Sequence, residues 1–423
     1  LVAAAAVFFG VVLWATHDYT FYFDEWTFIV SMPIWTPVTY LTPHNEHPAI
    51  LFRLLYAALM NTVGLRAYWP YMAVLLAAHV ANVALLFELI RRRAGDLIAL
   101  SAGLLLLVLG AGWEDLIWAF QMAWLISIAC GLGALLLLQD RRTILAATLL
   151  AVSLAFSGIG LVFAVAATVQ LLLTPERRVE VFRLVPVGMA LVIWLAAFGS
   201  LSTHPNPPPT AANIVLDPLY ALWGLGEAAA GIVGRGGWFG PPLLVAAAAA
   251  VGWRWRRHGA DPLGVGMAAG LVAFYVVLGL SRAQLGVEQG GASRYVYVGA
   301  VPCLILLADA AKSLPWRGTW RPALVACLFL ACFSSTVLLY SFAIARPVVM
   351  ERQVADYYAL QAMRHDPCLG PDAQVDQLVM PSLLEPGPYY RAIDLYGDPR
   401  AGRALTDQAS YQAALGNLRK ANC

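Results

Sequence analysis

Charged residues are scarce in this sequence. Asp, Glu, Lys and Arg make up 12% of its 423 residues, 60% are hydrophobic, and the mean hydropathy is +0.69. A soluble core cannot absorb that much apolar sequence, so an ordinary water-soluble domain is excluded and a polytopic membrane protein remains. The few charges nearly cancel, to a net +2, which leaves no basic surface for a nucleic-acid partner. No basic residue precedes the apolar run 1–15, so it is not read as a cleavable leader. The six cysteines form no CxxC and no zinc-type spacing. Cys130, Cys303, Cys327 and Cys332 fall in apolar stretches and read as inert filler. The Gly-rich stretch before residue 293 has no P-loop pattern, and there is no clear internal repeat of the kind a transporter shows.

What the chain does have is apolar runs separated by small basic clusters, at 91–93, 141–142, 177–178, 254–257 and 312–321. Short cytoplasmic loops retain Lys and Arg, so each consecutive pair of clusters should enclose an even number of crossings. Segments 97–112 and 116–138 form one such pair. Segment 143–173 reads as two short helices broken at Ser157-Gly158-Ile159-Gly160. Segments 181–200 and 242–253 read as spans, with 217–234 between them as an outer-surface helix or re-entrant piece because it carries Glu227 and several glycines. Segments 262–280, 296–311 and 323–345 complete the series. Only one crossing, 67–90, fits between the first span and the cluster at 91–93. Residues 49–63 are therefore expected along the outer surface, with Arg53 near the headgroups.

The fold expected is an all-α polytopic membrane protein with about 11 transmembrane helices, amino end inside and carboxyl end outside. Residues 1–345 would be its transmembrane domain, and 346–423, charged and without a span, a small extracytoplasmic C-terminal domain. At that size the tail needs support from a staple or from the membrane domain. A bridge between Cys368 and Cys423 would suit an oxidising compartment; two free thiols are the alternative. The long outer loops are 16–66, 200–237 and 281–295.

Candidate chemistry lies at the outer ends. In Phe23-Asp24-Glu25-Trp26, Asp24 fits a general base that removes a proton from an acceptor hydroxyl. The bland alternative is that Asp24 caps a helix, Glu25 favours its dipole and Trp26 anchors at the interface. In Thr42-Pro43-His44-Asn45-Glu46-His47-Pro48, the residues His44, Glu46 and His47 could ligate a divalent metal, contact a sugar or phosphate, or cap a helix and bond neighbouring loops. Glu114 and Asp115 stand among Trp113, Trp118 and Trp124, a familiar surface for sugars, although the tryptophans also suit an aromatic belt. Arg282 and Arg294 sit at opposite ends of a Gly-rich loop, with Tyr295 after the second. They could clamp a lipid phosphate or snorkel to headgroups.

With these pieces in place the chain resembles the C superfamily of membrane glycosyltransferases. Residues 1–112 match best: a first span, then Phe23-Asp24-Glu25-Trp26, then His47-Pro48 opening an apolar surface helix, then a long span ending in Arg91-Arg92-Arg93-Ala94-Gly95. This layout is nearest the protein-mannosyl and lipid-A aminoarabinose branches. Ser293-Arg294-Tyr295 looks like the Arg-Tyr near the carrier phosphate in some members. Asn45-Glu46 departs from the usual Pro-rich pattern between the histidines.

The resemblance implies an inverting glycosyltransferase that moves a sugar from a polyprenyl-phosphate carrier to a hydroxyl on a glycan, lipid or protein. It would act on the outer face of the cytoplasmic membrane, with Asp24 as base and no required cofactor. Glu25, His44, Glu46, His47, Glu114 and Asp115 would position sugar or acceptor. Arg53, Arg282, Arg294 and Tyr295 would serve the phosphate. The alternatives are a ligase or polymerase using a lipid-diphosphate carrier, and a lipid-linked sugar flippase or transporter.

Overall fold

The computed structural model describes residues 1–202, 209–312, 314, 318–376, 385–420 and 423. Arg317 of the last basic cluster and residues 203–208 of the outer loop 200–237 lie outside the described residues. The protein is 79% helical, and among the described residues the only β-pairings are two isolated bridges. Among the described residues, six helical stretches are long and apolar enough to cross a membrane: Trp69–Ala94, Ala119–Gln139, Pro175–Leu201, Pro262–Leu285, Ser293–Ala311 and Trp320–Met363. This is an all-α, membrane-embedded protein.

In chain order the helices are α1 (Val2–Ala15), α2 (Asp24–Ser31), α3 (Pro37–Leu41), α4 (Ile50–Thr62), α5 (Trp69–Ala94), α6 (Asp96–Leu107), α7 (Glu114–Ile117), α8 (Met122–Gln139), α9 (Thr143–Phe156) and α10 (Gly160–Leu172). There follow α11 (Val185–Phe198), α12 (Ala211–Gly231), α13 (Gly240–His258), α14 (Pro262–Arg282), α15 (Ser293–Ala311), α16 (Trp320–Met363), α17 (Pro386–Tyr396) and α18 (Gln408–Leu418). The expected break of 143–173 falls between α9 and α10, where Ser157 is extended. Helix α13 holds the expected span 242–253 and runs on into Arg254, Arg256 and Arg257; it is not one of these six stretches.

The helix that holds the expected last span, 323–345, continues beyond it: α16 runs unbroken to Met363, through Pro347. A proline inside a helix leaves the carbonyl four residues earlier without its donor. Here that carbonyl belongs to Ala343, and it accepts from the Tyr19 hydroxyl at 3.0 Å instead.

The chain divides into two compact units. The first comprises residues 1–9, 41–52 and 75–340. Its helices pack through small residues: a Cβ on Gly266 would lie 2.4 Å from the Ala166 carbonyl oxygen, and one on Gly270 would lie 2.2 Å from that of Val162. The Gly-x-x-x-Gly spacing thus lets α14 touch the backbone of α10, as membrane helices do when close packing must replace a hydrophobic drive.

The basic clusters gather at one end of this unit. Arg92 pairs with Asp140 at 2.8 Å, Arg93 pairs with Asp261, and Arg177 donates to the Leu138 carbonyl at 2.7 Å. Helix α14 begins beside Asp261 and has 21 residues, roughly 31 Å of rise. Its far end, at Arg282, is therefore about one hydrocarbon thickness away from the basic end.

The second unit comprises residues 10–40, 53–74 and 341–423. The tail is thus grouped with two stretches of the first long loop. Its centre is aromatic: Trp26 is fully buried against Tyr357 and Tyr389, with ring centroids 5.3 Å away in each case. A disulfide joins Cys368 to Cys423. It is reinforced by the Gly370 amide bonding to the Leu418 carbonyl and the Lys420 amide bonding to that of Cys368, both at 2.9 Å.

Candidate functional site

The site residues are best followed unit by unit. In the first unit, residues 42–49 form a tight turn. His44 and His47 exchange both backbone hydrogen bonds, each 3.0 Å, and Asn45 takes the positive φ of 52° that the turn requires. The turn lifts Glu46 outward to pair with Arg282 at 2.7 Å. The ring of His47 lies edge-on to Trp124, with centroids 5.5 Å apart, and its Nδ1 would sit 2.9 Å from a Cβ on Gly158. Part of His47 stays accessible, but its ring is walled in. Burial, then the Arg282 charge, pushes its pKa down to about 4. His47 is therefore a neutral hydrogen-bonding group at neutral pH and brings no positive charge.

Arg282 closes the last turn of α14, where the helix dipole favours a cation. It donates to the Tyr295 hydroxyl and lies over that ring, 5.6 Å from the centroid. Arg294 lies over the same ring at 5.0 Å. The ring of Tyr295 in turn stacks on Trp124, with centroids 5.8 Å apart. The two arginines at opposite ends of the 281–295 loop are thus drawn together on one fully buried tyrosine.

Glu114 anchors the arrangement. Its carboxylate accepts from the Arg294 side chain at 3.2 Å and from the Arg294 amide at 3.1 Å, at the amino end of α15. Its own amide donates to the Ser293 hydroxyl at 3.0 Å.

Glu114 and Asp115, adjacent in sequence, part company here. Asp115 is fully buried, and neither of its carboxylate oxygens meets a hydrogen-bond partner among the described residues. Burial, then the neighbouring Glu114 charge, raises its pKa well above the usual carboxylate range, against the opposing pull of Arg294. Burial thus favours its protonated form.

A cleft of about 270 Å³ opens beside this cluster. Glu46, His47 and Arg282 form its polar mouth, while Trp194, Phe274 and Leu278 represent its apolar walls. The sequence reading missed Trp194. Its indole donates to the Leu41 carbonyl at 2.8 Å, which fixes one wall. The Ser157-Gly158 break, visible in sequence as a helix end, also provides a wall at Gly158.

In the second unit, Asp24 is the first residue of α2, and Phe23 rather than Asp24 occupies the cap position. The cap alternative for Asp24 is therefore corrected: the carboxylate stands in the first turn, half-buried. Glu25 is fully buried and accepts from the Tyr22 amide at 2.9 Å and from the Tyr68 hydroxyl at 3.2 Å.

Arg53 was expected near the headgroups but is 3% exposed. Its guanidinium lies over the rings of Phe28 and Trp35, at 5.0 and 5.5 Å, and burial lowers its pKa to about 10. Aromatic faces take up the cation in place of lipid phosphates.

Of the three residues named as an alternative metal set, Glu46 is held by Arg282 and the ring of His44 lies against Phe120, 5.4 Å away. Among the described residues no three of His, Cys, Asp and Glu group so as to hold a metal ion. Compared with models of protein families, with curated proteins and with solved structures, the chain matches none.

Proposed function

We propose that this protein is an inverting glycosyltransferase of the C type, taking a sugar from a polyprenyl-phosphate carrier on the outer face of the cytoplasmic membrane. The observation that carries the reading is the cleft of the first unit, apolar along its walls and ending on Arg282, Glu46 and His47. Such a cleft suits a hydrocarbon chain with an anionic head. Its mouth lies at the end of α14 away from the basic loops, which the positive-inside rule assigns to the cytoplasm. The short motifs of residues 1–112 support the same reading. The eleven-span topology belongs to this proposal.

In the reaction, the acceptor oxygen attacks the anomeric carbon. The bond from that carbon to the carrier phosphate breaks, and the phosphate leaves with the electron pair. The resemblance carried by Phe23-Asp24-Glu25-Trp26 gives Asp24 the role of base for the hydroxyl proton. Arg282 and Arg294 stabilise the departing phosphate, since preorganised cations in a water-poor site need little reorganisation. Glu46 and Glu114 keep the two guanidiniums oriented, and neutral His47 donates or accepts a hydrogen bond.

The test is to mix the purified protein with polyprenyl-phosphate sugars and a polyol acceptor, and to follow free polyprenyl phosphate and sugar transfer together. Coupled appearance of both supports the reading. Movement of intact carrier across a vesicle bilayer, with no free polyprenyl phosphate, would replace it with a flippase.

A further inference from the structure

The second unit has a cavity of its own, about 530 Å³, within the roughly 300–1,000 Å³ range of small-molecule sites. Its residues lie at the carboxyl ends of three helices, α4, α16 and α17. Two glycines bring the walls together. Gly64 has φ +70°, and a Cβ there would lie 2.2 Å from the Tyr396 carbonyl oxygen. The Leu65 amide donates to that same oxygen at 2.9 Å. Gly397 has φ +98°, and the Arg66 side chain crosses 3.1 Å from where its Cβ would be.

The lining is polar on almost every side and nearly balanced in charge. Arg364 donates to both oxygens of Asp394, at 2.7 and 2.6 Å, and Asp398 pairs with Arg400 at 2.6 Å. Arg66 has no ion pair among the described residues. Asn61 and Gln361 add neutral amides. An apolar ligand would desolvate these groups without replacing their hydrogen bonds. An anion would face Asp394 and Asp398, and a cation would face Arg66 and Arg364. A ligand whose groups both donate and accept, and which carries no charge, meets none of these costs. Hydroxyls behave in this way, and Tyr396 with the exposed Leu395 offers apolar surface to the C–H face of a sugar ring.

We propose that this cavity binds a neutral glycan segment. Calling that segment the acceptor rests on the transferase reading; the binding does not.

The experiment uses the full chain in a detergent without a sugar head group. It is titrated calorimetrically with neutral tetrasaccharides derived from mannan, glucan, galactan and arabinan. At least one should bind, and Arg364→Gln or Asp394→Asn should weaken it tenfold or more. Arg66→Ala and Asn61→Trp, both at exposed positions, should weaken it as well and guard against loss of fold in the variants that break the Arg364–Asp394 pair. Arg92→Gln should leave binding unchanged.

Absence of binding to all four, or equal binding by the Arg66→Ala and Asn61→Trp proteins, overturns the inference. Release of polyprenyl phosphate is measured separately. Release without glycan binding sinks only this proposal, and binding without release sinks only the transferase.

Discussion

Two carboxylates carry the residue-scale predictions. Asp24 stands in the first turn of α2 and not at its cap. Asp24→Asn keeps the size and hydrogen-bonding reach of the side chain and gives up a helix-dipole interaction of about 0.3–1 kcal/mol. On the chemical side it loses its basicity. Turnover should fall on the order of 100-fold or more while the melting temperature moves little; near-normal transfer would remove Asp24 from the base role.

Asp115 is a matter of stability. Its folded-state pKa is raised by burial, above an unfolded value of about 3.9. Below that value both states are protonated and nothing is lost. As pH rises toward the folded pKa the unfolded chain ionises first, so stability is lost progressively. Asp115→Asn should melt higher than the parent at pH 8–9 and alike near pH 4. A parallel loss of stability with pH in both proteins would show that Asp115 is not the group responsible.

At the scale of elements, α16 is the helix most at odds with simple expectation. It continues through Pro347, and the Tyr19 hydroxyl serves the Ala343 carbonyl that the proline leaves without a donor. Removing that hydroxyl in Tyr19→Phe should cost about 1 kcal/mol. In a Pro347→Ala background the restored backbone amide can bond Ala343 itself, so the same Tyr19→Phe change should cost clearly less. A double-mutant cycle of thermal or denaturant midpoints measures the difference. Strict additivity would mean that the hydroxyl does not compensate for the proline. The α10–α14 contact follows the opposite logic, in which glycines at 266 and 270 admit backbone where no side chain fits.

At the scale of the whole molecule, large apolar side chains face outward. Phe329, Leu330 and Phe333 on α16 and Val192 and Ile193 on α11 are each about 60% exposed or more, as lipid-facing residues are and as soluble surfaces rarely are. If the basic loops are cytoplasmic, an impermeant thiol reagent applied outside intact cells should label Thr62→Cys and Ala401→Cys, but not Arg92→Cys. Outside labelling at residue 92 would invert the topology. The disulfide is tested on the same protein. Cys368→Ser should destabilise the second unit by about 2–4 kcal/mol, seen as earlier proteolysis of the tail, while the spans stay resistant.

Composition and run length alone determined that this is a helical membrane protein, because the cost of placing charge in hydrocarbon leaves a readable pattern in any sequence. The break at 157–160 and the helix at 50–62 were legible in the runs of apolar residues, and the basic clusters were legible as the punctuation between those runs. What the sequence could not show is which neighbours a side chain meets. Glu114 and Asp115 differ by one position, yet one holds a guanidinium and the other is buried, with its pKa raised. Arg282 and Arg294, twelve residues apart, share one tyrosine, and Arg53 lies between aromatic rings. Where α16 passes its proline, a tyrosine more than 300 residues away supplies the donor for the carbonyl left free. Partners, burial and the pKa values that follow from them are long-range properties, and the tertiary packing decided them.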